Sequence, residues 1–410
     1  MSAATRRSRI SVAEAQVVIE KQAETAPVEP RPLALAYGAV LREEIRADRD
    51  FPPYDRVTMD GIAVAYSEIQ AGRQEFRVAG TQAAGSAPLA IARPTDCVEV
   101  MTGAVLPEGC DCVVPVEEID REGDSVRLRP GAAPRRLQYV HRRGSDFARE
   151  SVLLRPGMRL DAPEAAVCAA TGRSSVSVSA DPKIALVATG DELVEVDDLP
   201  LPHQVRISNV YALQAMLASW GFHRCERFFV RDDREEAERL LGSLLETFDV
   251  LVISGGVSAG RFDYVPKTLE RLGVDALFHK VRQRPGLPFW FGIGRLRQAV
   301  FALPGNPVST TTCARRYLIP FLQRRSGMHA LAVEHAVLAD EVRFDPELTL
   351  FLQVEVERAA DSRLLAHPRP VSGSGDFAHL AGSDGFLELP ESISLFETGT
   401  IWPFYRWAPR

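Results

Sequence analysis

The middle of the chain alternates short apolar runs with longer amphipathic stretches. Runs that are wholly or mostly apolar predict buried strands at 184–188, 228–230, 249–254 and 299–303. Stretches with apolar residues three and four positions apart predict helices at 209–220, 234–247 and 262–272. A further long helix is predicted to follow the turn at 304–309 and to end near Gln323. Strands and helices that follow one another in this order form βαβ units. Residues 182–327 are therefore predicted to form a central, doubly wound, mostly parallel α/β domain.

Shorter alternating runs lie on both sides of that domain. Those at 97–101 and 112–116 are separated by Gly, Pro and Asp, and they predict a β-rich module over 51–137. The runs at 350–356, 385–389 and 400–404 predict a small C-terminal β domain over 328–410, a barrel or a sandwich, of which we expect the barrel. Both segments lack the strict strand–helix alternation of the centre, so we expect them to fold as separate domains.

The N-terminal region has a helical texture that returns after the β module. Ser11-Val-Ala-Glu14 matches a capping box and predicts a helix start, whereas residues 1–9 predict no element. A second helix is predicted over 33–41. Segments 1–50 and 138–181 are predicted to form one elongated, partly helical N-terminal domain that contains the β module as an insertion. The fold class is thus α/β multidomain.

Bulk composition excludes several classes of function. A chain of 410 residues needs more than one core, and its net charge of −7 argues against a general nucleic-acid binder. No apolar run approaches the roughly 20 residues that cross a bilayer. The six cysteines include no CxxC spacing, which favours buried thiols in a reducing compartment. We expect a cytoplasmic protein that binds neither nucleic acid nor membrane.

Two glycine-containing turns directly follow predicted strands of the α/β domain. In a parallel sheet such turns place main-chain N–H groups at the carboxyl edge, where they favour anions and above all phosphates. Glycine lets a ligand approach the main chain closely. The residues of these two turns that we expect to bind substrate are Ser254, Gly255, Gly256, Ser258, Gly260, Pro304, Gly305, Asn306 and Pro307.

Carboxylates are predicted to gather at the same edge. Gly190, Asp191 and Glu192 follow the first strand, Asp232 follows the second, and Asp263 follows the first glycine turn. Four acidic groups beside an anion site would repel the ligand unless a divalent cation intervenes, which predicts Mg²⁺ bound by Glu192, Asp232 and Asp263. Taken singly, Asp191 or Glu192 could instead cap a turn, and Asp263 could stabilise a helix N-terminus.

Lys280 and Arg284 provide the positive charge nearest to these turns in sequence, either as substrate ligands or as an exposed basic face. Met59-Asp60-Gly61 and Met101-Thr102-Gly103 are, on their own, ordinary turns of the β module. Hydrolase-triad, zinc-protease and P-loop functions have no support, because no Ser-His-Asp order, HExxH or GKS/T motif is present.

Taken together, these motifs identify a family resemblance. Pro53-Tyr-Asp55 with Met59-Asp-Gly61, Met101-Thr-Gly-Ala104, Thr189-Gly-Asp-Glu-Leu193, Ser254-Gly-Gly-Val-Ser258 and Leu303-Pro-Gly-Asn-Pro-Val-Ser309 occur in the same order as in the molybdopterin molybdenumtransferases. That group includes the E domain of gephyrin, and the resemblance covers nearly the whole chain. The matching functional positions are Asp60, Thr102, Glu192, Asp232, Asp263, Pro304 and Pro307, of which the first five are implied to be catalytic.

The resemblance implies an elongated homodimer whose cleft is built from both subunits. It implies a Mg²⁺-dependent reaction in which adenylylated molybdopterin and molybdate yield the molybdenum-loaded cofactor and AMP. The turns would bind phosphate, and Lys280 and Arg284 would attract molybdate. A molybdopterin adenylyltransferase and molybdoenzymes are the implied partners.

This chain also departs from the family pattern. Where the family usually has Lys-Pro-Gly-Lys-Pro, it has Arg284-Pro-Gly-Leu287-Pro288, so one positive charge is absent. Ile62 stands in place of a common tyrosine, and Gly80-Thr81 in place of a Gly-Glu turn. Alternative functions on the same α/β domain are a molybdopterin adenylyltransferase, a nucleotide pyrophosphatase, or a cofactor carrier or scaffold without catalysis.

Overall fold

The computed structural model describes residues 7–257, 264–330, 332–369 and 377–409. The chain begins with strand β1 (Arg7–Ile10), and helix α1 (Val12–Glu20) follows it. Ser11 caps α1 through the predicted capping box, since Glu14 N donates to Ser11 Oγ at 3.2 Å and Ser11 N donates to Glu14 Oε2 at 2.9 Å.

The position of β1 and α1 corrects two predictions. Residues 7–9 do form an element, because β1 pairs in parallel with a strand of the central sheet, with Ile10 opposite Val281. Ile10, Val12 and Ile19 are buried in the core of the central domain. Residues 7–20 therefore pack with the α/β domain rather than with the elongated N-terminal domain, because their apolar side chains complete the central core. The other domain boundaries stay predictions.

The next elements are strands β2 (Val28–Pro32) and β3 (Ile45–Arg46). The helix predicted over 33–41 is wrong: a single 3₁₀ turn, Leu33–Leu35, is all that forms. The backbone of Leu41 bonds across the domain instead, accepting from Gly157 N and donating to Met158 O, each at 2.8 Å. These long-range hydrogen bonds replace the ones that a helix would make.

The β module forms one six-stranded sheet. Its elements are β4 (Arg56–Val57), β5 (Gly61–Val64), α2 (Tyr66–Gln70), β6 (Glu75–Gln82), β7 (Asp96–Val100), β8 (Cys112–Pro115), β9 (Ile119–Glu122) and β10 (Ser125–Leu128). The strand order is β8-β5-β7-β6-β10-β9, and β4 lies outside this sheet. Phe76, Cys97 and Val126 are among the buried side chains of its core.

After the module the chain pairs with the strands that preceded it. The returning elements are β11 (Val140–His141), β12 (Val152–Leu154), α3 (Ala162–Ala170) and β13 (Ser175–Ser179). β11 pairs with β4, β12 with β3 and β13 with β2, all antiparallel. The β-rich module is thus an insertion into a domain made from two separate stretches of chain.

The central domain contains a seven-stranded sheet with helices on both faces. Its elements are β14 (Ile184–Thr189), β15 (Leu193–Val194), β16 (Val205–Arg206), α4 (Asn209–Ser219), β17 (Cys225–Val230), α5 (Arg234–Thr247), β18 (Val250–Ser254), α6 (Val265–Arg271), β19 (Asp275–Val281), β20 (Gln283–Arg284), β21 (Trp290–Ile293), β22 (Ala299–Leu303), α7 (Pro307–Cys313) and α8 (Ile319–Arg325). The long helix predicted to end near Gln323 is interrupted by a π-helical turn, Ala314–Leu318, between α7 and α8.

The sheet order β1-β19-β21-β22-β18-β14-β17 positions the site. β22, β18, β14 and β17 are parallel neighbours, whereas β21 runs antiparallel to both β19 and β22. Thr189 is opposite Val230, and Ser254 is opposite both Ala188 and Leu303. The carboxyl ends of four consecutive strands therefore meet at one edge, where ligands bind in sheets of this type.

The C-terminal domain is a closed barrel. Its strands are β23 (Glu334–Leu338), β24 (Val342–Arg343), β25 (Thr349–Arg358), β26 (Leu364–Pro368), β27 (Gly385–Leu389), β28 (Leu395–Phe396) and β29 (Ile401–Arg406). The order β25-β26-β23-β29-β27 closes because β27 also pairs with β25. β20 extends from the central domain and pairs in parallel with β25. Across the described ranges, no helix has the length and apolarity to cross a membrane.

Candidate functional site

A cleft of about 880 Å³ opens at the carboxyl edge of the central sheet. Its walls come from the ends of β14, β17, β18 and β22 and from the start of α4. The residues in its lining that the sequence predicted are Gly190, Glu192, Asp232, Ser254, Gly255, Gly256, Pro304, Gly305, Asn306 and Pro307. Ser258, Gly260 and Asp263 lie outside the described residues.

The first glycine turn follows β18 and tolerates no side chain. Gly255 and Gly256 have φ values of +110° and +64°. A Cβ atom at Gly255 would lie 2.6 Å from Thr189 O, and one at Gly256 would lie 2.5 Å from Val265 Cγ2. Both residues must therefore be glycine. Gly255 N donates to Leu303 O at 3.1 Å, which attaches this turn to the end of β22.

Asn209, the first residue of α4, connects the two predicted turns. Its Nδ2 donates to Ser254 Oγ and to Gly305 O, at 2.7 Å each. Thr310 of α7 donates to Pro304 O and so fixes the second turn from behind. Asn209 is not among the residues predicted from the sequence to form the site. The signal that identifies it is the Ser208-Asn209 pair at the start of a helix, since a helix that follows a parallel strand begins at the carboxyl edge.

Three carboxylates lie at one end of the cleft. Asp232 N donates to Asp191 Oδ1 at 3.1 Å, although Asp191 itself is not part of the lining. The carboxylate of Glu192 folds over Gly190, where a Cβ atom would lie 2.6 Å from Glu192 Oε2. Partial burial raises the pKa of Asp232, and the negative charges of Asp191 and Glu192 raise it further.

Tyr264 packs behind this carboxylate group. Its hydroxyl donates to Arg231 O at 2.9 Å, and the ring is buried. Burial, followed by the charge of Asp232, raises the pKa of Tyr264, so the phenol stays protonated. The tyrosine therefore adds no further negative charge to the cleft.

The described residues include no group of three or more His, Cys, Asp or Glu arranged to bind a metal ion. Two of the predicted magnesium ligands, Glu192 and Asp232, nevertheless line the same cleft. Mg²⁺ is commonly bound by one or two carboxylates, with phosphate and water oxygens completing its octahedron. The oxygen ligands present here, and the mutual repulsion that raises the pKa of Asp232, suit such an ion.

Asp60 and Thr102 form a separate pair on the β module. Asp60 Oδ1 accepts hydrogen bonds from Thr102 N at 2.6 Å and from Thr102 Oγ1 at 2.7 Å. These two bonds lower the pKa of Asp60, which is exposed. Of the described residues, none from the β module lines the α/β cleft. The four predicted catalytic residues that the structure describes therefore form two separate groups within one chain, Asp60 with Thr102 and Glu192 with Asp232.

The two basic residues predicted to attract molybdate are not part of this cleft. Within the described lining of the cleft, the positive charge comes from Arg206. Neither Lys280 nor Arg284 lines this cleft. Arg284 lines a neighbouring cleft of about 530 Å³ between the central domain and the barrel. The reason is that β20 leaves the central sheet and pairs with β25. Lys280 is half-buried in β19, with φ at +74°.

The two clefts are contiguous. Pro288, Pro304 and Asn306 line both of them. Leu287, Arg343 and Arg369 line the second cleft together with Arg284.

Three protein-family models match the chain in succession. They are described as the MoeA N-terminal region (domain I and II) at residues 10–172, a probable molybdopterin binding domain at 185–324, and the MoeA C-terminal region (domain IV) at 335–407. Together they cover most of the chain, and the middle one coincides with the cleft-bearing domain.

Curated relatives and solved structures agree with these matches. A molybdopterin molybdenumtransferase of Synechocystis sp. is 40% identical over 373 residues, which is 91% of this chain and 93% of the relative. A molybdopterin molybdenumtransferase of Bacillus subtilis is 30% identical over 88% of this chain and 85% of its own. The crystal structure of the molybdopterin biosynthesis MoeA protein from Pyrococcus horikoshii superposes with a TM-score of 0.79, at 27% identity, covering 98% of this chain and 100% of that one.

Proposed function

The chain belongs to the molybdopterin molybdenumtransferase family, and on that premise we propose that its α/β cleft inserts molybdenum into molybdopterin. The enzyme is a transferase of molybdenum cofactor biosynthesis. Its substrates are adenylylated molybdopterin and molybdate, and its products are the molybdenum-loaded cofactor and AMP. The reaction depends on Mg²⁺.

One observation supports this proposal above the others. The two glycine-containing turns and two carboxylates, Glu192 and Asp232, line one cleft of about 880 Å³. That volume is within the range of small-molecule sites and suits a pterin joined to a nucleotide. Turns alone would suit any phosphate ester. Carboxylates among them suit a substrate that arrives with a divalent cation, as phosphoanhydrides do.

The residues would divide the work by position. The turns at Ser254–Gly256 and Pro304–Pro307 would bind the phosphate oxygens, and Asn209 holds the two turns at a fixed separation. Glu192 and Asp232 would hold Mg²⁺. When bound there, the ion would offset the charge of the phosphates and polarise the scissile phosphoanhydride. Asp191 orients Asp232 through the Asp232 backbone N–H.

The second cleft is the proposed entry site for molybdate. It contains Arg284, Arg343 and Arg369, of which Arg369 is paired with Glu355 at 3.2 Å. A tetrahedral dianion suits guanidinium groups, which donate several hydrogen bonds in a fixed geometry. Because Pro288, Pro304 and Asn306 belong to both clefts, molybdate bound beside Arg284 would lie next to the pterin site.

The separation of Asp60 and Thr102 from Glu192 and Asp232 supports a homodimer. A second subunit would bring its Asp60–Thr102 pair to the open side of the first subunit's cleft. We also propose a cytoplasmic location, with a molybdopterin adenylyltransferase supplying the substrate and molybdoenzymes receiving the product. The six cysteines are all free thiols, which suits a reducing compartment.

The test is incubation of the purified protein with adenylylated molybdopterin, Mg²⁺ and molybdate, with AMP followed by chromatography. The proposal requires AMP that appears with all three components and disappears with EDTA. AMP released at the same rate without molybdate would identify a pyrophosphatase. Consumption of ATP and molybdopterin would identify an adenylyltransferase, and tight binding without turnover would identify a carrier.

Leu287→Lys should lower the molybdate concentration for half-maximal insertion by about three- to tenfold, because a positive charge is added to the cleft that contains Arg284. The measurement is the rate of molybdenum insertion against molybdate concentration. The gain should shrink at high ionic strength, where charges are screened. Leu287→Met is the uncharged control of similar length and should match the wild type. An equal or higher half-saturating concentration in Leu287→Lys would reject the charge argument.

A further inference from the structure

A buried hydroxyl group in the α/β cleft makes no hydrogen bond to the residues that the structure describes. Thr189 is the last residue of β14, lines the cleft and is only 4% exposed. Its Oγ1 atom is buried and has no hydrogen-bond partner among the residues that the structure describes. Buried polar groups are nearly always paired in native proteins, because an unpaired one has lost its hydrogen bonds to water. A partner outside the chain would explain this exception.

The hydroxyl lies directly against the first glycine turn. A Cβ atom at Gly255 would be 2.6 Å from Thr189 Oγ1, and one at Gly256 would be 3.2 Å from it. The absence of side chains at these two positions leaves the hydroxyl next to the main chain of the turn. A ligand oxygen that approaches the turn therefore also approaches Thr189.

The surroundings hold this arrangement in place. Asn209 fixes Ser254, the residue before the turn, and Gly255 N is bonded to Leu303 O at 3.1 Å. Thr189 itself lies in a strand that is paired on both sides, with β17 and β18. The backbone of Thr189 and that of the turn are therefore held side by side by sheet and cross-turn hydrogen bonds, so their relative position is preorganised.

We propose that Thr189 is a substrate-binding residue whose hydroxyl donates a hydrogen bond to a phosphate oxygen of the bound substrate. The inference rests on the proposed function, in which this turn binds phosphate groups. A hydrogen bond to a charged oxygen is stronger than one between neutral groups, and the bound substrate supplies the partner that the fold does not. The hydroxyl thus contributes to affinity, and its removal should weaken binding without lowering the stability of the fold.

The test compares Thr189→Val, which removes the hydroxyl at nearly constant shape, with Thr189→Ser, which keeps it. Thr312→Val is the matched control, because Thr312 Oγ1 is also buried and unpaired within the described structure but Thr312 does not line the cleft. The measurements are the KM for adenylylated molybdopterin, the Kd for AMP by calorimetry, and the Tm of each variant.

Thr189→Val should raise the KM, the Kd for AMP or both by about tenfold or more, with a Tm equal to or above that of the wild type. Thr189→Ser should stay within about threefold of wild-type affinity, and Thr312→Val should leave both affinities unchanged. Wild-type affinity for both ligands in Thr189→Val would overturn the inference. So would an equal loss in Thr189→Ser, which would point to packing of the methyl group. The Kd for AMP is measured by direct binding, so it tests the role of Thr189 even if the wild-type protein has no activity. A wild-type protein that releases no AMP from the adenylylated substrate would reject the proposed function and not the role of Thr189.

Discussion

Asp232→Asn should slow AMP release by about 100-fold or more and, at the same time, stabilise the folded protein at neutral pH. The loss of rate is expected because Asp232 is one of the two carboxylates in the described lining of the cleft that we propose to hold Mg²⁺. An amide keeps the size of the side chain but is a much weaker ligand for a hard cation. The measurement is the AMP release rate at saturating Mg²⁺ and molybdate.

The gain in stability follows from the sign of the pKa shift. The pKa of Asp232 is raised above its ordinary value of 3.8 by burial and by the charges of Asp191 and Glu192. The folded state therefore binds the proton more tightly than the unfolded state, and the free energy of unfolding falls as pH rises from about 3.8 through the folded pKa. Asp232→Asn removes the titrating carboxylate and therefore also this fall in the free energy of unfolding. Denaturant unfolding at neutral pH should show a more stable variant, and unfolding near pH 3 should show little difference.

The adjacent Asp233 provides the control for charge. Asp233 is the N-cap of α5, where its Oδ1 accepts from Glu236 N at 2.8 Å, and it does not line the cleft. Asparagine caps helices about as well as aspartate, so Asp233→Asn should keep wild-type activity and stability. If Asp233→Asn slows AMP release as much as Asp232→Asn does, the slower rate comes from the loss of one negative charge near the cleft and not from the loss of a metal ligand. Wild-type rates in Asp232→Asn would show that the cleft is not the reaction site.

Local patterns were sufficient for much of the central domain. β22 and α5 coincide with the predicted segments 299–303 and 234–247. The strand is an uninterrupted apolar run that ends at a proline, and the helix begins at a capping aspartate and has one apolar face. The cleft residues Glu192, Asp232 and Ser254 could also be predicted to meet, because parallel strands bring their carboxyl ends to one edge whatever the rest of the chain does.

The failures have a common physical cause, which is pairing between segments far apart in sequence. Leu41 has the spacing of a helical residue, but its backbone bonds to Gly157 and Met158. β1 forms because the edge of the central sheet accepts a strand beside β19. Pairing of β20 with β25 likewise places Arg284 in the neighbouring cleft, a position that the nearness of Arg284 to the turns in sequence does not reveal. No local pattern contains these partners.

Side-chain roles at the site were harder to predict than its location. Asn209 and Thr189 are single polar residues at the ends of apolar segments, and such residues usually cap or terminate an element. Only the distances show that Asn209 joins Ser254 to Gly305 and that the hydroxyl of Thr189 is unpaired within the described structure. The hydrogen bonds that Asp60 accepts from Thr102 could likewise not be predicted without the strand register of the β module, in which Gly61 lies opposite Val100.

Mixing Asp60→Asn subunits with Asp232→Asn subunits should restore activity that neither variant has alone. Asp60 and Thr102 are hydrogen-bonded to each other, but neither belongs to the described lining of the cleft that contains Asp232 in the same chain. If each cleft is completed by the Asp60 of a second subunit, a mixed dimer has one cleft with both substitutions and one with neither. Equal amounts of the two variants, unfolded and refolded together, should yield about half mixed dimers and about a quarter of the wild-type rate.

Two controls decide what the recovery means. Each variant refolded alone should stay at or below about one hundredth of the wild-type rate, which excludes repair by refolding. A mixture of Asp60→Asn with Thr102→Val should recover nothing, because both substitutions fall on the same pair and every cleft then has a defective partner. Recovery in that mixture, or none in the first, would mean that Asp60 does not act across the subunit boundary. The Asp60 carboxylate, whose pKa is lowered by the two hydrogen bonds from Thr102, would then act only within its own subunit, where it holds the Thr102 turn of the β module.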